Sequence, residues 1–138
     1  MKKFVVYTDG GSRANPGKAA AAYLIYSETG ELLAKDGAYL GIATNNEAEY
    51  QAVKLALQRL KEDFSECLPA EIEIRADSQL VVQQLSGSFK VKNPRIKVLY
   101  DEVRQLADSL GKVRLTYIPR SKNYRADGLV NNILDKEG

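Results

Sequence analysis

Apolar and β-branched residues dominate the first forty positions in three runs, and this pattern predicts three strands, over residues 3–9, 19–26 and 31–41. Turn residues separate the runs: Gly10-Gly11, Asn15-Pro16-Gly17 and Thr29-Gly30. Gly10-Gly11 is expected to make a tight turn directly after the first strand. Sequential strands joined by short turns indicate an antiparallel meander.

The spacing of apolar residues then changes from a period of two to a helical period. Residues 46–61 carry an apolar stripe made by Ala52, Val53, Ala56, Leu57 and Leu60. Residues 71–76 alternate strictly and predict a strand, followed by a helix that Asp77-Ser78 caps and that ends at Leu85. The remaining predicted elements are a helix over 94–110 ended by Gly111, a strand over 113–117 and a helix over 124–134.

Strands 4 and 5 each follow a helix, so they are expected to join strand 1 in parallel through right-handed crossovers. The predicted fold is therefore α/β, with a mixed five-stranded sheet (an antiparallel meander plus two parallel strands) and helices on both faces. A length of 138 residues without linker or low-complexity segment predicts a single domain over residues 1–138.

Composition excludes several classes of function. No apolar run approaches the roughly 20 residues that span a bilayer, and the first residues lack the apolar core of a signal peptide, so we expect a cytoplasmic protein without membrane contact. The chain has no histidine and one cysteine, Cys67. Zinc or copper chemistry and an intramolecular disulfide are therefore excluded, and Cys67 lacks a partner that would make it a nucleophile.

The net charge of +2 is weak evidence for any partner, but the basic residues cluster. The first basic group is Lys90, Lys92, Arg95 and Lys97, and the second is Lys112, Arg114, Arg120, Lys122 and Arg125. Such groups are usually solvated surfaces, and alone they do not establish nucleic-acid binding.

Four acidic residues lie within short polar motifs at the ends of separate predicted elements. The motifs are Thr8-Asp9-Gly10-Gly11-Ser12, Thr44-Asn45-Asn46-Glu47-Ala48-Glu49, Ala76-Asp77-Ser78-Gln79 and Arg125-Ala126-Asp127. Carboxylates that converge repel one another unless cations hold them together, so a site built from Asp9, Glu49, Asp77 and Asp127 implies a divalent metal bound through oxygen ligands.

Glu49 is the most informative of these acids. It lies at the centre of the apolar stripe of its helix, whereas Glu47 points to the opposite side. A buried acid is costly unless it is paired or metal-bound, so Glu49 requires an explanation and Glu47 does not. A helix-start Glu that accepts backbone amides is the alternative explanation of Glu49.

The three aspartates also have ordinary structural explanations. Asp9 is expected to end the first strand with its carboxylate exposed at the sheet edge, where an Asp beside Gly commonly forms a turn. Asp77 suits a helix N-cap, and Asp127 suits the first turn of a helix. Their joint placement is stronger evidence, because ligands of open α/β sheets gather at the carboxyl ends of neighbouring strands.

These motifs, together with Asn15-Pro16-Gly17 and Asn123-Tyr124-Arg125-Ala126-Asp127, resemble the type 1 ribonuclease H family in order and spacing over essentially the whole chain. The resemblance implies that Asp9, Glu49, Asp77 and Asp127 are catalytic, metal-binding carboxylates. It also implies two Mg²⁺ ions, with Mn²⁺ as a substitute, and cleavage of the RNA strand of RNA–DNA hybrids to 5′-phosphate and 3′-hydroxyl ends.

Substrate contacts follow from the same resemblance. Positions that match contacts to the minor groove and ribose hydroxyls are Gly11, Ser12, Asn15, Asn46, Ser78 and Gln79. Thr44 and Asn93 match a pocket for a phosphate of the DNA strand. The first basic group would attract phosphates without sequence preference. Turn formation or helix capping is the alternative role of the asparagines, above all of Asn45.

The chain departs from the family pattern in two places. Many members place a histidine in the loop before the last acid, where this chain has Arg120, which cannot act as a general base near neutral pH. Arg120 could still bind phosphate or aid product departure. Residues 86–93 are too few for the basic, Trp-bearing handle of some bacterial members, so we expect modest and strongly salt-dependent affinity.

Two alternatives remain from the sequence. The chain could be a hybrid- or double-stranded-RNA-binding module with weak or no cleavage, although the four acids disfavour this. It could be another nuclease of the superfamily, which Thr44-Asn45-Asn46 followed by Glu49 disfavours. Activity on double-stranded RNA is a further possibility, and we expect a monomer.

Overall fold

The computed structural model describes residues 1–137 and contains one five-stranded sheet in the order β3-β2-β1-β4-β5. The strands are β1 Lys2–Ser12, β2 Gly17–Ser27, β3 Leu32–Ala43, β4 Ala70–Ala76 and β5 Gly111–Tyr117. The helices are α1 Asn45–Asp63, α2 Gln79–Leu85, α3 Pro94–Leu110 and α4 Tyr124–Glu137, with 3₁₀ turns at Ser65–Cys67 and Arg120–Lys122. The two 3₁₀ turns were not predicted from the sequence pattern.

The predicted mixed sheet is confirmed. β1, β2 and β3 form the antiparallel meander, and β4 pairs with β1 in parallel. The last strand, β5, pairs in parallel with β4 and not with β1, so the two crossover strands extend the sheet on the same side. The carboxyl ends of β1, β4 and β5 therefore lie along one edge of the sheet.

Helices cover both faces of the sheet, as predicted. The larger core packs α1, α2 and α3 against one face; it includes Phe4, Val6, Tyr23, Ile25, Tyr50, Leu57, Ile74, Leu85, Ile96 and Val103. On the other face, Val130 and Leu134 of α4 pack on the small side chains of Ala20 and Ala22 in β2. Small residues in β2 allow α4 to lie close to the sheet, which brings its first turn towards the end of β1.

The predicted turn at Gly10-Gly11 is wrong. β1 continues through both glycines and pairs with β2 as far as Ser12 opposite Ala19. The parallel pairing of β1 with β4 already ends at Thr8 opposite Ala76. Asp9 therefore lies within a strand and not at its end, immediately beyond the point where β1 loses its neighbour β4. Among residues 1–137, no helix is both long enough and apolar enough to cross a membrane.

Candidate active site

Gly10 brings helix α1 into close contact with strand β1. A Cβ atom on Gly10 would lie 2.2 Å from the backbone carbonyl carbon and oxygen of Ala48, a distance that real side chains do not reach. Because residue 10 has no side chain, the first turns of α1 pass directly over the unpaired edge of β1. Glu49 uses this approach, and its Oε1 accepts a hydrogen bond of 2.5 Å from the backbone N–H of Gly10.

Three of the four predicted acids converge at this point. Carboxylate oxygens of Asp9, Glu49 and Asp77 all lie within 4.8 Å of one another. Asp9 is only 6% exposed and Glu49 only 7%, so the expectation of an exposed Asp9 carboxylate is wrong. The carboxylate is buried because β1 continues past it to Ser12 and because the carboxylates of Glu49 and Asp77 lie close to it.

Burial and mutual repulsion make the charged form of this cluster costly. Burial, followed by repulsion from the neighbouring Asp77 carboxylate, raises the pKa of Asp9 from 3.8 to about 7. Burial, followed by repulsion from Asp9, also raises the pKa of Glu49 well above its ordinary value. The hydrogen bond from Gly10 opposes the shift of Glu49 only in part. Without a cation, this cluster therefore retains protons near neutral pH.

Asp77 is held by a residue whose role sequence reasoning missed. The side-chain amide of Asn123 donates 2.8 Å to the carbonyl oxygen of Thr8 and 2.9 Å to Oδ2 of Asp77. Asn123 is 1% exposed, so it joins β1, the end of β4 and the start of α4 inside the protein. Its place in the motif before Asp127 gave no sign of this contact. Asp77 itself is not the cap of α2, because Ser78 Oγ accepts from Val81 N–H instead.

Asp127 lies apart from the other three acids. It is not a member of the group that converges within 4.8 Å, and its side chain is 32% exposed. Its Oδ1 lies 3.7 Å from Nη2 of Arg120, whose side chain is 83% exposed, and its Oδ2 accepts 3.3 Å from Asn131 Nδ2. The Arg120 charge also acts on Asp9, where it slightly lowers the raised pKa. The site thus has a buried half and an exposed half.

The donors present fit a hard divalent cation. The converging atoms are all carboxylate oxygens, which Mg²⁺, Mn²⁺ and Ca²⁺ prefer, and the chain has no histidine that would select zinc. Within residues 1–137, no lysine or arginine nitrogen forms an ion pair with Asp9, Glu49 or Asp77 within 4.0 Å. A bound cation would therefore supply the positive charge that the surrounding side chains do not.

Comparison with known proteins places the chain in a family. Residues 7–133 match the model of the reverse transcriptase-like family. The chain is 40% identical to ribonuclease HI of Halobacterium salinarum over 94% of its residues. It superposes with a TM-score of 0.93 on LC11 ribonuclease H1, isolated from compost by a metagenomic approach, at 40% identity over 99% of both chains. The chain belongs to the ribonuclease H1 family.

A second solved structure shows the same LC11 ribonuclease H1 in complex with an RNA/DNA hybrid, and it matches with a TM-score of 0.93 at 39% identity. That match covers 97% of this chain and 98% of the LC11 chain. The chain spans only part of the length of the curated relatives: 63% of the Halobacterium ribonuclease HI and 36% of the mycobacterial bifunctional protein Rv2228c.

The two residues predicted to hold a DNA phosphate are both helix caps in this chain. Thr44 caps α1 by accepting 3.1 Å from Glu47 N–H, and Asn93 caps α3 by accepting from Arg95 and Ile96 N–H. Glu47 completes the capping box of α1 and accepts 2.9 Å from Arg95. Glu47 therefore has a defined structural role, and its ion pair with Arg95 joins the N-termini of α1 and α3.

The end of β1 and the loop that follows it bind the N-terminus of α1. The backbone N–H and the hydroxyl of Ser12 donate to Asn45 Oδ1 at 2.9 and 3.1 Å, and Asn45 N–H donates 3.1 Å to Asn15 Oδ1. Asn45 thus has the structural role that the sequence left open. Ser12 and Asn15 share that role, so a role in substrate binding would be additional.

Gly11, Asn46 and Gln79 have fewer structural explanations. Asn46 and Gln79 are exposed, and within residues 1–137 their side chains form no hydrogen bond. A Cβ on Gly11 would meet only Val130 Cγ1 at 3.9 Å, an ordinary contact, so packing does not require glycine there. Each of these positions lies two or three residues in sequence from one of the acids, and each remains available to a ligand.

Proposed function

We propose that this chain is a metal-dependent endoribonuclease that hydrolyses the RNA strand of RNA–DNA hybrids to 5′-phosphate and 3′-hydroxyl ends. The convergence of carboxylate oxygens from Asp9, Glu49 and Asp77 within 4.8 Å carries this proposal. The likeness to LC11 ribonuclease H1, solved with an RNA/DNA hybrid, supports the class of substrate. Positioning and neutralisation of charge are the main requirements of phosphodiester hydrolysis, and carboxylates that bind metal ions meet both.

The metal ligands in this proposal are Asp9, Glu49, Asp77 and Asp127. Bound divalent ions, two Mg²⁺ with Mn²⁺ as a substitute, would supply Lewis-acid activation of the scissile phosphate and of the attacking water. The contribution of the chain is to fix the ligand oxygens in advance. Gly10 N–H orients Glu49, and Asn123 Nδ2 orients Asp77, so neither carboxylate must reorganise when substrate arrives.

Arg120 takes a different part from the histidine of many relatives. Its guanidinium stays charged at neutral pH and cannot accept a proton from water. Its position 3.7 Å from Asp127 on an exposed turn suits attraction of a phosphate or departure of the product. We therefore assign Arg120 to phosphate binding and not to general-base catalysis.

Recognition of the hybrid would use exposed polar groups around the acidic cluster. We assign contacts to the minor groove and to ribose hydroxyls as a set: Gly11, Ser12, Asn15, Asn46, Ser78 and Gln79. The 2′-hydroxyl is the feature that separates RNA from DNA, and it both donates and accepts hydrogen bonds. Thr44 and Asn93 would bind a phosphate of the DNA strand. The Glu47–Arg95 ion pair of 2.9 Å between their helices supports a joint site.

Attraction of the duplex would come from the first basic group, Lys90, Lys92, Arg95 and Lys97, all exposed. Affinity should then fall steeply with salt, by about 40- to 150-fold between 50 and 200 mM if three or four phosphates are neutralised. Binding that barely changes over that range would contradict this assignment.

The deciding experiment compares cleavage of matched RNA–DNA, RNA–RNA and DNA–DNA duplexes with Mg²⁺ or Mn²⁺, using Asp77→Asn as the inactive variant. Lys61→Ala, which removes an exposed cation far along α1, is the matched control. We expect cleavage of the RNA strand of the hybrid by the wild type and by the control only. Retained activity in Asp77→Asn would overturn the metal site, and binding without cleavage would favour the alternative of a binding module.

Several predictions stay open beside this one. Cleavage of double-stranded RNA is a possible addition, which the RNA–RNA duplex tests directly. The monomeric state, the cytoplasmic location and the single catalytic domain over residues 1–138 stay predictions from the sequence. Sedimentation of the purified chain at several concentrations would test the first of them.

A further inference from the structure

A cavity of about 380 Å³ opens beside the candidate active site, on the face of the sheet that carries α4. Its walls come from β1, from the turn after β2, from β4 and from the start of α4. Asn123 belongs to its lining and donates 2.9 Å to Asp77 Oδ2. One side chain therefore separates this cavity from the acidic cluster.

Aromatic rings and cations form most of the cavity wall. Tyr7 and Tyr26 pack edge to face with 5.6 Å between ring centroids, and Arg75 lies 5.5 Å from the centroid of Tyr7. Both tyrosine hydroxyls accept hydrogen bonds, from Arg75 at 2.7 Å and from Arg125 at 2.9 Å. Each hydroxyl keeps its own proton for donation to a ligand.

Of the three cations in the cavity wall, Arg75 is held by a carboxylate, whereas Lys122 and Arg125 are available to a ligand. Arg75 lies 3.3 Å from Glu73 Oε1, which also lies 3.5 Å from Arg114, so Arg75 is held in place and part of its charge is already compensated. Lys122 and Arg125 are exposed, and within residues 1–137 neither forms an ion pair with a carboxylate. Both come from the second basic group of the sequence, which the proposed catalytic site does not use apart from Arg120.

We propose that this cavity binds an unpaired nucleotide of a strand that continues beyond the duplex held at the active site. Stacking against tyrosine and attraction of phosphate to lysine and arginine are how proteins bind single-stranded nucleic acid without sequence preference. The volume suits one nucleotide, and a single carboxylate at the rim, Glu28, can accept from a base amino group or a ribose hydroxyl. Lys122 and Arg125 outweigh its charge.

The inference rests on the proposed function, because it takes the duplex to lie over Asp77 and Asp127. Arg125 is two positions before Asp127, so a strand leaving the acidic cluster past the Arg120–Lys122 turn meets the cavity next. The chemistry does not distinguish an RNA overhang from a DNA overhang. The test therefore includes both.

The test measures affinity by fluorescence anisotropy in EDTA, for a blunt RNA–DNA hybrid and for the same hybrid with a four-nucleotide overhang. Overhangs of RNA and DNA are placed in turn at the 5′ and 3′ ends. We expect at least one overhang to tighten binding by about tenfold, the size of a base-stacking contribution. The type of overhang that produces the gain identifies the strand that the cavity accepts.

Variants then test whether the gain in affinity comes from the cavity. In Lys122→Ala/Arg125→Ala the ratio of overhang to blunt affinity should fall to about one, whereas Lys35→Ala/Lys61→Ala, with the same change in net charge, should keep the wild-type ratio. Tyr26→Phe should keep most of the gain and Tyr26→Leu should lose it, because only the phenyl ring stacks.

The inference would be overturned if no overhang improved binding by the wild type, or if the gain survived in Lys122→Ala/Arg125→Ala. A competition experiment adds polyglutamate or a single-stranded oligonucleotide of equal charge. The inference would also be overturned if polyglutamate abolished the gain in affinity as effectively as the oligonucleotide. Cleavage of the blunt hybrid in Mg²⁺ is measured in parallel. If the blunt hybrid is cleaved but overhangs add nothing, only this inference fails. If the blunt hybrid is neither bound nor cleaved, the proposed function fails first.

Discussion

The two halves of the acidic site differ in how the fold holds them. Asp9 of β1 and Glu49 of α1 are 6% and 7% exposed, whereas Asp127 and Arg120 have side chains that are 32% and 83% exposed. The buried half is fixed by backbone packing at Gly10 and carries raised pKa values. The exposed half is a solvent-screened pair at the start of α4.

The difference indicates which part depends on a cation. Buried like charges cost several kcal/mol per ion unless an opposite charge compensates them, whereas an exposed ion pair contributes about 0–1 kcal/mol. The fold therefore maintains the buried half at a cost in stability, and metal binding would offset that cost. The exposed half contributes little to stability.

The largest expected effect is on cleavage. Asp9→Asn should reduce the rate on an RNA–DNA hybrid by about 10³-fold, because removal of one electrostatic group from a preorganised site costs about 10²–10³ and this one also weakens metal binding. Asp127→Asn should cost less, about 10- to 100-fold. Single-turnover rates with saturating Mg²⁺ provide the comparison. A greater loss in Asp127→Asn than in Asp9→Asn would reverse the assignment of the halves.

The second effect is on stability without metal. The pKa of Asp9 is raised from 3.8 to about 7, so the folded state binds more protons than the unfolded state between these values. The contribution of Asp9 is thus fully present below about pH 4 and is lost as the pH rises to about 7. The loss is on the order of 2–4 kcal/mol, and the raised pKa of Glu49 acts in the same direction.

Urea unfolding of wild type and Asp9→Asn in EDTA between pH 4 and pH 9 measures this effect. The variant should be more stable than the wild type at pH 8, and the difference should shrink towards pH 4. The difference in free energy of unfolding between the two proteins is the quantity to compare, because other carboxylates, such as Glu73 with its lowered pKa, stabilise both proteins less in acid. A difference that does not vary with pH would contradict the raised pKa of Asp9.

A third effect concerns the packing that creates the buried half. Gly10→Ala places a Cβ 2.2 Å from the backbone of Ala48, so α1 must move away, at a cost of about 1–3 kcal/mol or more in the free energy of unfolding. Gly11→Ala is the matched control, because its Cβ would meet only an ordinary contact at 3.9 Å. Thermal melts of both variants test this. Equal stability of the two would show that α1 does not depend on Gly10.

The smallest effect is expected at Arg120. Arg120→Ala should change the free energy of unfolding by less than about 0.5 kcal/mol, because the pair with Asp127 is exposed. Cleavage should fall by only a few-fold, with an unchanged dependence on pH near neutrality, since arginine does not titrate there. A sharp near-neutral ionisation in the wild-type pH–rate profile that disappears in Arg120→Ala would contradict this role.

Much of the fold followed from local patterns, because periodicity and turn residues act locally. The stripe of Ala52, Val53 and Ala56 located α1 and singled out Glu49, and Gly111 ended α3 as predicted. The predicted turn at Gly10-Gly11 failed because the glycines serve contact with α1, which is distant in sequence. Two adjacent glycines can either turn the chain or allow a helix to approach, and the local sequence does not distinguish these roles.

The site was predicted less completely for the same reason. Asn123 holds Asp77 across 46 positions of sequence, and its neighbours gave no indication of that partner. Ser78, and not Asp77, caps α2, because Asp77 is directed into the acidic cluster. The separation of Asp127 from the other acids likewise depends on how α4 packs on β2, which no local pattern specifies.

The central claim is that the buried carboxylates form a divalent-metal site that exchanges protons for cations. Calorimetric titration with Mg²⁺ at pH 6 and pH 9, each in two buffers of different ionisation enthalpy, measures the protons released on binding. At pH 6, below the pKa of about 7 for Asp9, we predict release of about one proton or more, and at pH 9 markedly less. Absence of Mg²⁺ binding, or binding heat that is independent of the buffer at pH 6, would contradict the account.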